Sequence, residues 1–239
     1  MSHGVYLVQQ GLSELGYDPG PLDGLYGPKT SAAIMAAGAA GFAPKVAPAA
    51  PVGAMSTSPE GMFALAVHEG IVPAPYKDSV GVWTYGIGHT AAAGEPVPAS
   101  MPRGMPADLD RALQSVLAVF RRDLVAYEAD VRRALKVPVT QPEFDALVSF
   151  HYNTGAITRA SLVGALNRGD RGAAAVGFMS WVKPPEVKAR RAAEQRLFRD
   201  GIYPTGPANV WQADAFGHVI WKTAMRLDEA RFRDLLAIT

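Results

Sequence analysis

Residues 69–89 read Glu-Gly-Ile-Val-Pro-Ala-Pro-Tyr-Lys-Asp-Ser-Val-Gly-Val-Trp-Thr-Tyr-Gly-Ile-Gly-His, and this stretch decides the fold. Its second half, residues 80–89, is rich in Val, Trp, Tyr, Ile and Gly, a composition that favours a strand. Asp78 and Gly81 flank a turn before that strand. Successive side chains of a strand point to opposite faces, so Thr84 can lie on the same side as Asp78. We expect a small β-hairpin region here.

A helix precedes this region and ends beside it. Ser58 is a favourable N-cap, Pro59 suits the first helical position, and Gly70 is a favourable residue just past the C-terminus. Glu69 therefore lies in the last turn, where the negative end of the helix dipole and the uncapped carbonyls disfavour ionisation. A carboxyl that keeps its proton near neutral pH is what a general acid requires.

The turn and the strand can bring two more polar groups to the end of this helix. Glu69, Asp78 and Thr84 would then supply one acid, one carboxylate able to orient water, and one hydroxyl. Taken alone, Glu69 is typical of a solvated helix end and Asp78 of a turn former. Their joint spacing is what indicates an active site.

The rest of the chain after residue 57 is predicted to be mainly helical. Apolar residues recur at helical spacing over 109–135, which predicts one long amphipathic helix. Thr140 and Glu143 form a capping-box pattern, Asp170 can start another helix, and residues 186–199 form a basic amphipathic segment. The predicted class is α+β, mainly α, with the small β-hairpin region beside a helical bundle.

These residues resemble the phage-type lysozymes, glycoside hydrolase family 24, especially the lambdoid-phage branch. The family pattern is Glu, eight residues, Asp, five residues, Thr, and then Gly-Ile-Gly-His, and Glu69, Asp78 and Thr84 match its spacing. Residues 141–155 and the segment Arg190-Arg191-Ala-Ala-Glu also match. The similarity covers roughly residues 57–203 and implies a lysozyme-like fold.

The resemblance implies a catalytic role for each residue of the motif. Glu69 would protonate the glycosidic oxygen, Asp78 would act as base or orient the water, and Thr84 would help to place that water. The predicted enzyme is a muramidase that hydrolyses the β-1,4 bond between N-acetylmuramic acid and N-acetylglucosamine for host-cell lysis. In this family the reaction is usually inverting.

The resemblance also implies substrate contacts. Asn153 would contact sugar, although capping the preceding helix is an equal alternative. Arg190 or Arg191 would pair electrostatically near the Glu69 side of the cleft, although both fit an exposed helix face. Tyr85, like Trp83, can stack on sugar or pack in the core, and the sequence leaves this choice open.

The first forty residues resemble a peptidoglycan-binding module. The match covers residues 5–37 and includes Gly16-Tyr17 and Asp23-Gly24-Leu-Tyr26-Gly. Tyr17 and Tyr26 are the candidates for ligand contact, and Asp23 suits a turn first. A helix that usually completes the module is replaced by an Ala/Gly-rich stretch.

The chain is expected to divide into four parts. Residues 1–40 form the wall-binding module, and residues 41–56, ten of which are Ala, Pro or Gly, form a linker. Residues 57–205 form the catalytic domain. Residues 206–239 extend past the resemblance, either packed on that domain or separate from it, and their role is open.

Composition excludes several kinds of chemistry, and the resemblance implies the partner. The 239 residues contain no Cys, which excludes disulfides and thiol catalysis, and the net charge of +1 gives no footprint for nucleic acid. His68, His89 and His151 form no metal-binding pattern, so no metal or cofactor is expected. The expected binding partner is bacterial peptidoglycan. The protein is expected to be a monomer and not to insert stably into a membrane.

The N-terminus determines the expected localisation. Residues 1–10 hold neither a basic n-region nor an apolar h-region, so no signal peptide is expected. We expect synthesis in the host cytoplasm and action on the periplasmic wall, after holin-type release or as a virion component.

Three other functions remain open at this point. A lytic transglycosylase would need one acid and no water-orienting partner, so it would tolerate loss of Asp78. Chitin hydrolysis would use the same residues on a related polymer. A non-catalytic wall-binding virion protein on a lysozyme scaffold would not need the intact Glu69, Asp78 and Thr84.

Overall fold

The computed structural model describes residues 3–14, 16–39 and 52–239. The chain divides into two compact units, Met1–Pro48 and Ala49–Thr239. The predicted linker lies largely outside the described residues, and the four-part division stays a prediction.

The first unit is a pair of helices, α1 (His3–Glu14) and α2 (Pro28–Ala39). Among the residues that the structure describes, its core includes Leu12, Ala33 and Ala37, with Tyr17 packed against them. A module this short buries little apolar surface on folding, so polar contacts matter more to its stability than to that of the second unit.

Residues 52–239 of the second unit, the part that the structure describes, form seven helices longer than one turn and five strands. The helices are α3 (Pro59–Glu69), α4 (Leu109–Ala134), α5 (Gln141–Thr154), α6 (Ser161–Asn167), α7 (Arg171–Gly177), α8 (Lys188–Asp200) and α9 (Glu229–Ala237). The strands are β1 (Val72–Lys77), β2 (Trp83–Gly86), β3 (His89–Thr90), β4 (Ala208–Ala213) and β5 (Val219–Leu227). The mainly helical α+β class is confirmed.

The predicted helix boundaries hold because their caps form. Ser58 Oγ accepts a hydrogen bond from the backbone N–H of Gly61, and Pro59 occupies the first position of α3. Gly70 ends α3 with φ of 74°, a conformation that a residue with a Cβ rarely adopts. Thr140 and Glu143 form both hydrogen bonds of the capping box of α5, and Asp170 caps α7.

The strands differ from expectation. The sequence predicted a single strand region at 80–89, but residues 80–82 belong to a turn, and an additional strand, β1, precedes that turn. Pro73 and Pro75 made β1 hard to predict, because proline has no N–H to donate a hydrogen bond within a sheet and is tolerated only at edges and bulges. The pairing of β1 with β2 is accordingly irregular between Val72 and Tyr76. β1, β2 and β3 form an antiparallel sheet in that order.

Residues 206–239 belong to the second unit and pack on the rest of it. β4 and β5 form an antiparallel hairpin, and Val210 forms a parallel bridge with Ile71 at the start of β1. Asp228 caps α9, whose Phe232 is fully buried against Phe63 of α3, with ring centroids 5.3 Å apart. The extension therefore completes the core.

Among the described residues, no helix combines the length and the apolar character needed to cross a bilayer.

Candidate active site

Glu69 is the last residue of α3, and its carboxylate is fixed by an arginine. Arg190 Nη1 of α8 donates to Glu69 Oε1 at 2.5 Å. A quarter of the Glu69 side-chain surface is exposed. No described residue donates to Oε2. The carboxyl is thus held from one side and left accessible on the other.

Arg190 acts on Glu69 from a buried position. Its Nε donates to Glu194 at 3.0 Å and its Nη2 donates to the carbonyl of Ser149 at 3.1 Å. Burial works against the guanidinium charge, but the carboxylates of Glu69 and Glu194 outweigh it and raise the pKa of Arg190. Each terminal nitrogen and Nε already has a protein acceptor. Arg190 is therefore placed to orient Glu69, and its predicted contact with sugar remains a prediction.

The neighbouring arginine holds Asn153. Arg191 is fully buried, pairs with Glu194 and donates to Asn153 Oδ1. Asn153 lies in the last turn of α5, is exposed, and keeps its amide nitrogen without a partner among the described residues. The side chain can thus donate to a ligand while Arg191 fixes its oxygen.

Asp78 combines a structural and an open oxygen. Its Oδ1 accepts from the backbone N–H groups of Val80, at 3.0 Å, and Val82, at 2.8 Å, which organises the turn between β1 and β2. No described residue donates to Oδ2. The turn therefore fixes the carboxylate and leaves one oxygen available to water.

Tyr76 brings the three predicted catalytic residues into one region. It lies directly opposite Thr84 in the pairing of β1 with β2. Burial raises the pKa of Tyr76 to about 12, and the negative charges of Glu69 and Asp78 contribute in the same direction. One phenol thus lies within electrostatic range of both carboxylates and beside Thr84. Sequence reasoning missed Tyr76, although its position two residues before Asp78 in a strand was a usable signal.

Thr84 is buried, with 3% of its surface exposed. Its hydroxyl donates to the carbonyl of Val82 at 3.1 Å, so the oxygen lone pairs remain as acceptors.

The expectation for Tyr85 needs correction. Tyr85 is 4% exposed and belongs to the main core, so of its two possible roles the structure shows packing. Successive side chains of β2 alternate between its two faces, so Tyr85 points away from the face that Thr84 shares with Tyr76. Trp83, half-buried, is covered by Arg103, whose guanidinium carbon lies 3.6 Å from the ring centroid.

A cleft of about 700 Å³ lies on the α4–α5 side of the sheet and includes Asp123, Tyr127, His151 and Tyr152 in its lining. Burial is the main cause of the raised pKa values of Tyr127 and Tyr152, and the charge of Glu69 adds to both. The cleft is therefore within electrostatic range of Glu69. Among the residues that the structure describes, no group of three or more His, Cys, Asp and Glu could hold a metal ion.

A comparison with known families gives a match over the same part of the chain. The family model described as "Phage lysozyme" matches residues 66–194, more than half of the chain, including every catalytic candidate. The chain belongs to the phage lysozyme family. The second unit is thus a lysozyme-type enzyme, as the sequence predicted.

Individual relatives of this lysozyme differ in how much they share with it. An endolysin of Bacillus phage PZA is 43% identical over 99 residues, which cover 38% of this chain and 37% of that relative. An endolysin of Acyrthosiphon pisum secondary endosymbiont phage 1 is 30% identical over 157 residues, covering 60% of this chain and 98% of that protein. The solved structure of an endolysin from Escherichia coli O157:H7 phage FAHEc1 has a TM-score of 0.54 at 32% identity, covering 64% and 98% of the two chains.

The first unit of the lysozyme has its own family match. The model described as "Putative peptidoglycan binding domain" matches residues 2–37, which confirms the predicted module. Tyr26 is 64% exposed, whereas Tyr17 is half-buried against the small core. Asp23 Oδ1 accepts from the N–H of Leu25 at 2.9 Å, so it organises a turn.

The residue that joins these parts of the module is Gln9, which sequence reasoning did not single out. Its two Nε2 protons are shared among acceptors on Asp23, Leu25 and Thr30, and its Oε1 accepts from the N–H of Gly24. Gln9 is 1% exposed, so these bonds satisfy a fully buried amide.

Proposed function

We propose that this lysozyme is a modular endolysin that hydrolyses the β-1,4 bond between N-acetylmuramic acid and N-acetylglucosamine in bacterial peptidoglycan. The observation that carries the proposal is the position of Tyr76, opposite Thr84 and within electrostatic range of both Glu69 and Asp78. A single region therefore supplies an acid and a second carboxylate, the pair that glycoside hydrolysis needs, together with a hydroxyl.

Glu69 is the proposed general acid. It transfers its proton to the bridging oxygen as the bond from that oxygen to the anomeric carbon of muramic acid breaks. Arg190 holds Oε1 in place, so Oε2 is the oxygen free to carry the proton. A carboxyl group held in one orientation lowers the entropic cost of reaching the reactive geometry.

Asp78 and Thr84 are proposed to position the attacking water. Asp78 Oδ2 accepts one water proton and the Thr84 oxygen accepts the other, which aims the water oxygen at the anomeric carbon. The carbon–oxygen bond forms as the glycosidic bond breaks, and Asp78 takes the proton that the water loses. Attack on the face opposite the leaving group gives inversion, which requires carboxyls about 6.5–9.5 Å apart.

Substitution of Glu69 tests the proposal. Glu69→Gln keeps the shape of the side chain but removes the transferable proton, so the rate on purified sacculi should fall by about 10²–10⁴. Asp78→Asn should also lower the rate, because the water loses its base. Undiminished hydrolysis by Glu69→Gln would refute the assignment of the acid.

Product analysis separates this reaction from its alternatives. Mass spectrometry should show fragments with reducing muramic acid ends. Anhydro-muropeptides, together with an active Asp78→Asn variant, would indicate a lytic transglycosylase instead. Absence of any soluble product from permeabilised Gram-negative cells would favour a non-catalytic wall-binding protein.

The first unit is proposed to hold the enzyme on the wall. The match of residues 2–37 supports this role, and exposed Tyr26 offers a ring for ligand contact. The place of action would then be the periplasmic wall of the host, reached after holin-type release or from a virion.

A further inference from the structure

The β4–β5 hairpin lies beyond the residues that the lysozyme family model matches. Its backbone is nevertheless hydrogen-bonded to both ends of the segment that contains β1, the strand between Glu69 and Asp78. The Ile71 N–H donates to the carbonyl of Asn209, and the Trp211 N–H donates to the carbonyl of Ile71, both at 2.8 Å. At the other end of β1, the Lys77 N–H donates to the carbonyl of Gly217, also at 2.8 Å. Ile71 follows Glu69 by two residues and Lys77 directly precedes Asp78. The hairpin therefore runs beside the segment that connects the two carboxylates.

Close side-chain packing confirms how tightly the hairpin is seated. A Cβ on Gly70 would lie 2.9 Å from Nε1 of Trp211, and a Cβ on Gly217 would lie 2.5 Å from the ring of Trp83. Only glycine at these two positions allows the approach. The indole of Trp211 thus packs on Gly70, next to Glu69, and Gly217 packs on the ring of Trp83, which precedes Thr84 in β2.

The same hairpin exposes large aromatic rings. Trp221 is 66% exposed and packs edge to face on Trp211, with centroids 5.2 Å apart, and Phe216 in the turn is 75% exposed. Exposed aromatic rings that a rigid backbone supports are typical of a binding surface rather than of a solvated one. Lys222 and Arg226 are exposed on β5 and form no ion pair with any described residue.

We infer that the hairpin is an accessory binding surface for the glycan strand, formed by Trp211, Phe216 and Trp221 and continuous with the active site. Sugar rings present apolar C–H faces that stack on aromatic rings, and the stem peptides of the strand carry carboxylates that suit Lys222 and Arg226. The surface follows β1, so it extends the substrate contact beyond the sugars at the bond that is cut. This inference rests on the proposed function.

Binding to an uncut strand tests the surface. The probe is soluble glycan strands that bear stem peptides, titrated calorimetrically into the full chain carrying Glu69→Gln so that the strand stays intact. Adding Trp221→Ala and Phe216→Ala should raise Kd roughly five- to tenfold, the effect expected from losing two stacking contacts. Because both rings are exposed, thermal melting should be unchanged, and Trp221→Phe should restore part of the affinity.

The matched control removes two exposed apolar side chains elsewhere in the second unit. Val176 and Ile238 are 65% and 71% exposed, and their substitution by Ala in the same Glu69→Gln chain should leave Kd unchanged. A Kd for the Trp221→Ala/Phe216→Ala chain within twofold of this control would overturn the inference. So would self-association of the native chain, measured by sedimentation, that the two ring substitutions abolish while Kd stays the same.

The test separates this inference from the proposed function. If Glu69→Gln still releases reducing ends, seen by mass spectrometry, the assignment of the acid fails whatever the hairpin does. If Glu69→Gln is inactive and the ring substitutions leave Kd at the control value, only the accessory surface fails.

Discussion

At the scale of single residues, two arginines beside Glu69 determine the electrostatics of the site. Arg190 and Arg191 are both buried and share one fully buried carboxylate, Glu194. Burial raises the pKa of Glu194, and the two guanidinium charges oppose that effect. The buried charges of Arg190, Arg191 and Glu194 are tolerated only because nearly all of their polar atoms form hydrogen bonds. Each of these side chains is therefore held in its orientation by the others. The orientation of Glu69 is the outcome of this cluster.

The same cluster predicts how stability depends on pH. Burial and the positive charges of Arg190 and Arg191 lower the pKa of His68 to about 4. As pH falls, His68 is therefore protonated near pH 6.5 in the unfolded chain, whereas in the folded chain it stays neutral until about pH 4. The contribution of His68 to the free energy of unfolding should be fully present above pH 6.5 and be lost as pH drops toward 4, a change of about 3 kcal/mol.

Urea unfolding at a series of pH values measures this effect. His68→Gln should flatten the decline between pH 6.5 and 4, because the titrating group is gone. His218→Gln is the control, since it is the same substitution at a histidine whose side chain is 72% exposed. Equal pH dependence in the native and His68→Gln chains would contradict the prediction.

At the scale of elements, the packing of α3 on α5 depends on a glycine. A Cβ on Gly61 would lie 2.5 Å from Cγ of Asp145. The Asp145 carboxylate cannot withdraw easily, because it accepts hydrogen bonds from Ser58, Gln141 and Tyr203. Gly61→Ala should destabilise the second unit by about 1–3 kcal/mol, although alanine is the better helix former.

Gly172 in α7 provides the matched control. It is exposed, and the nearest atom to an added Cβ would be Asp170 Oδ1 at 3.6 Å, an ordinary contact. Gly172→Ala should therefore stabilise by roughly 0.4–1 kcal/mol through the entropy of the unfolded chain. Chemical denaturation of both variants measures whether each substitution raises or lowers the free energy of unfolding. A Gly61→Ala chain as stable as the native chain would show that Asp145 or α3 can shift to make room for the methyl group.

The last helix is predicted to be part of the main core. Phe232 of α9 is fully buried against Phe63, so Phe232→Ala should lower the free energy of unfolding by about 3–5 kcal/mol. Phe216→Ala removes an equally large ring that is 75% exposed and should stay within about 0.5 kcal/mol of the native chain. Similar melting of the two variants would mean that α9 is dispensable for the core.

At the scale of the whole molecule, the two units should respond separately to damage. The first unit depends on Gln9, whose amide is buried and forms four hydrogen bonds. Gln9→Ala leaves buried groups without partners, at a cost of about 1–3 kcal/mol each, which should unfold so small a module. Binding to sacculi should weaken while hydrolysis of a short soluble oligosaccharide is kept.

Cosedimentation with sacculi and an assay on the soluble oligosaccharide measure these two activities. Met35→Ala, in the same unit, removes a side chain that is 74% exposed and should change neither of them. Loss of the soluble activity in Gln9→Ala would show that the second unit depends on the first.

Sequence predicted the local features well because each one depends on neighbouring residues. The caps at Ser58, Thr140 and Asp170 are hydrogen bonds across three positions, so spacing reveals them. The motif of Glu69, Asp78 and Thr84 identified the family for the same reason. β1 and the role of Gln9 were missed, because prolines obscured the former and partners up to 21 residues away define the latter.

The family, the α+β class and the candidate carboxylates thus follow from the sequence, since periodicity, caps and motif spacing are local properties of the chain. The hydrogen bond from Arg190 to Glu69, the burial of Tyr85 in the core and the packing of residues 206–239 along β1 became visible in the folded structure alone. Each of these depends on groups more than a hundred residues apart or on which face of a strand is covered. Such proximity arises when the chain buries its apolar surface, and local patterns carry no record of it.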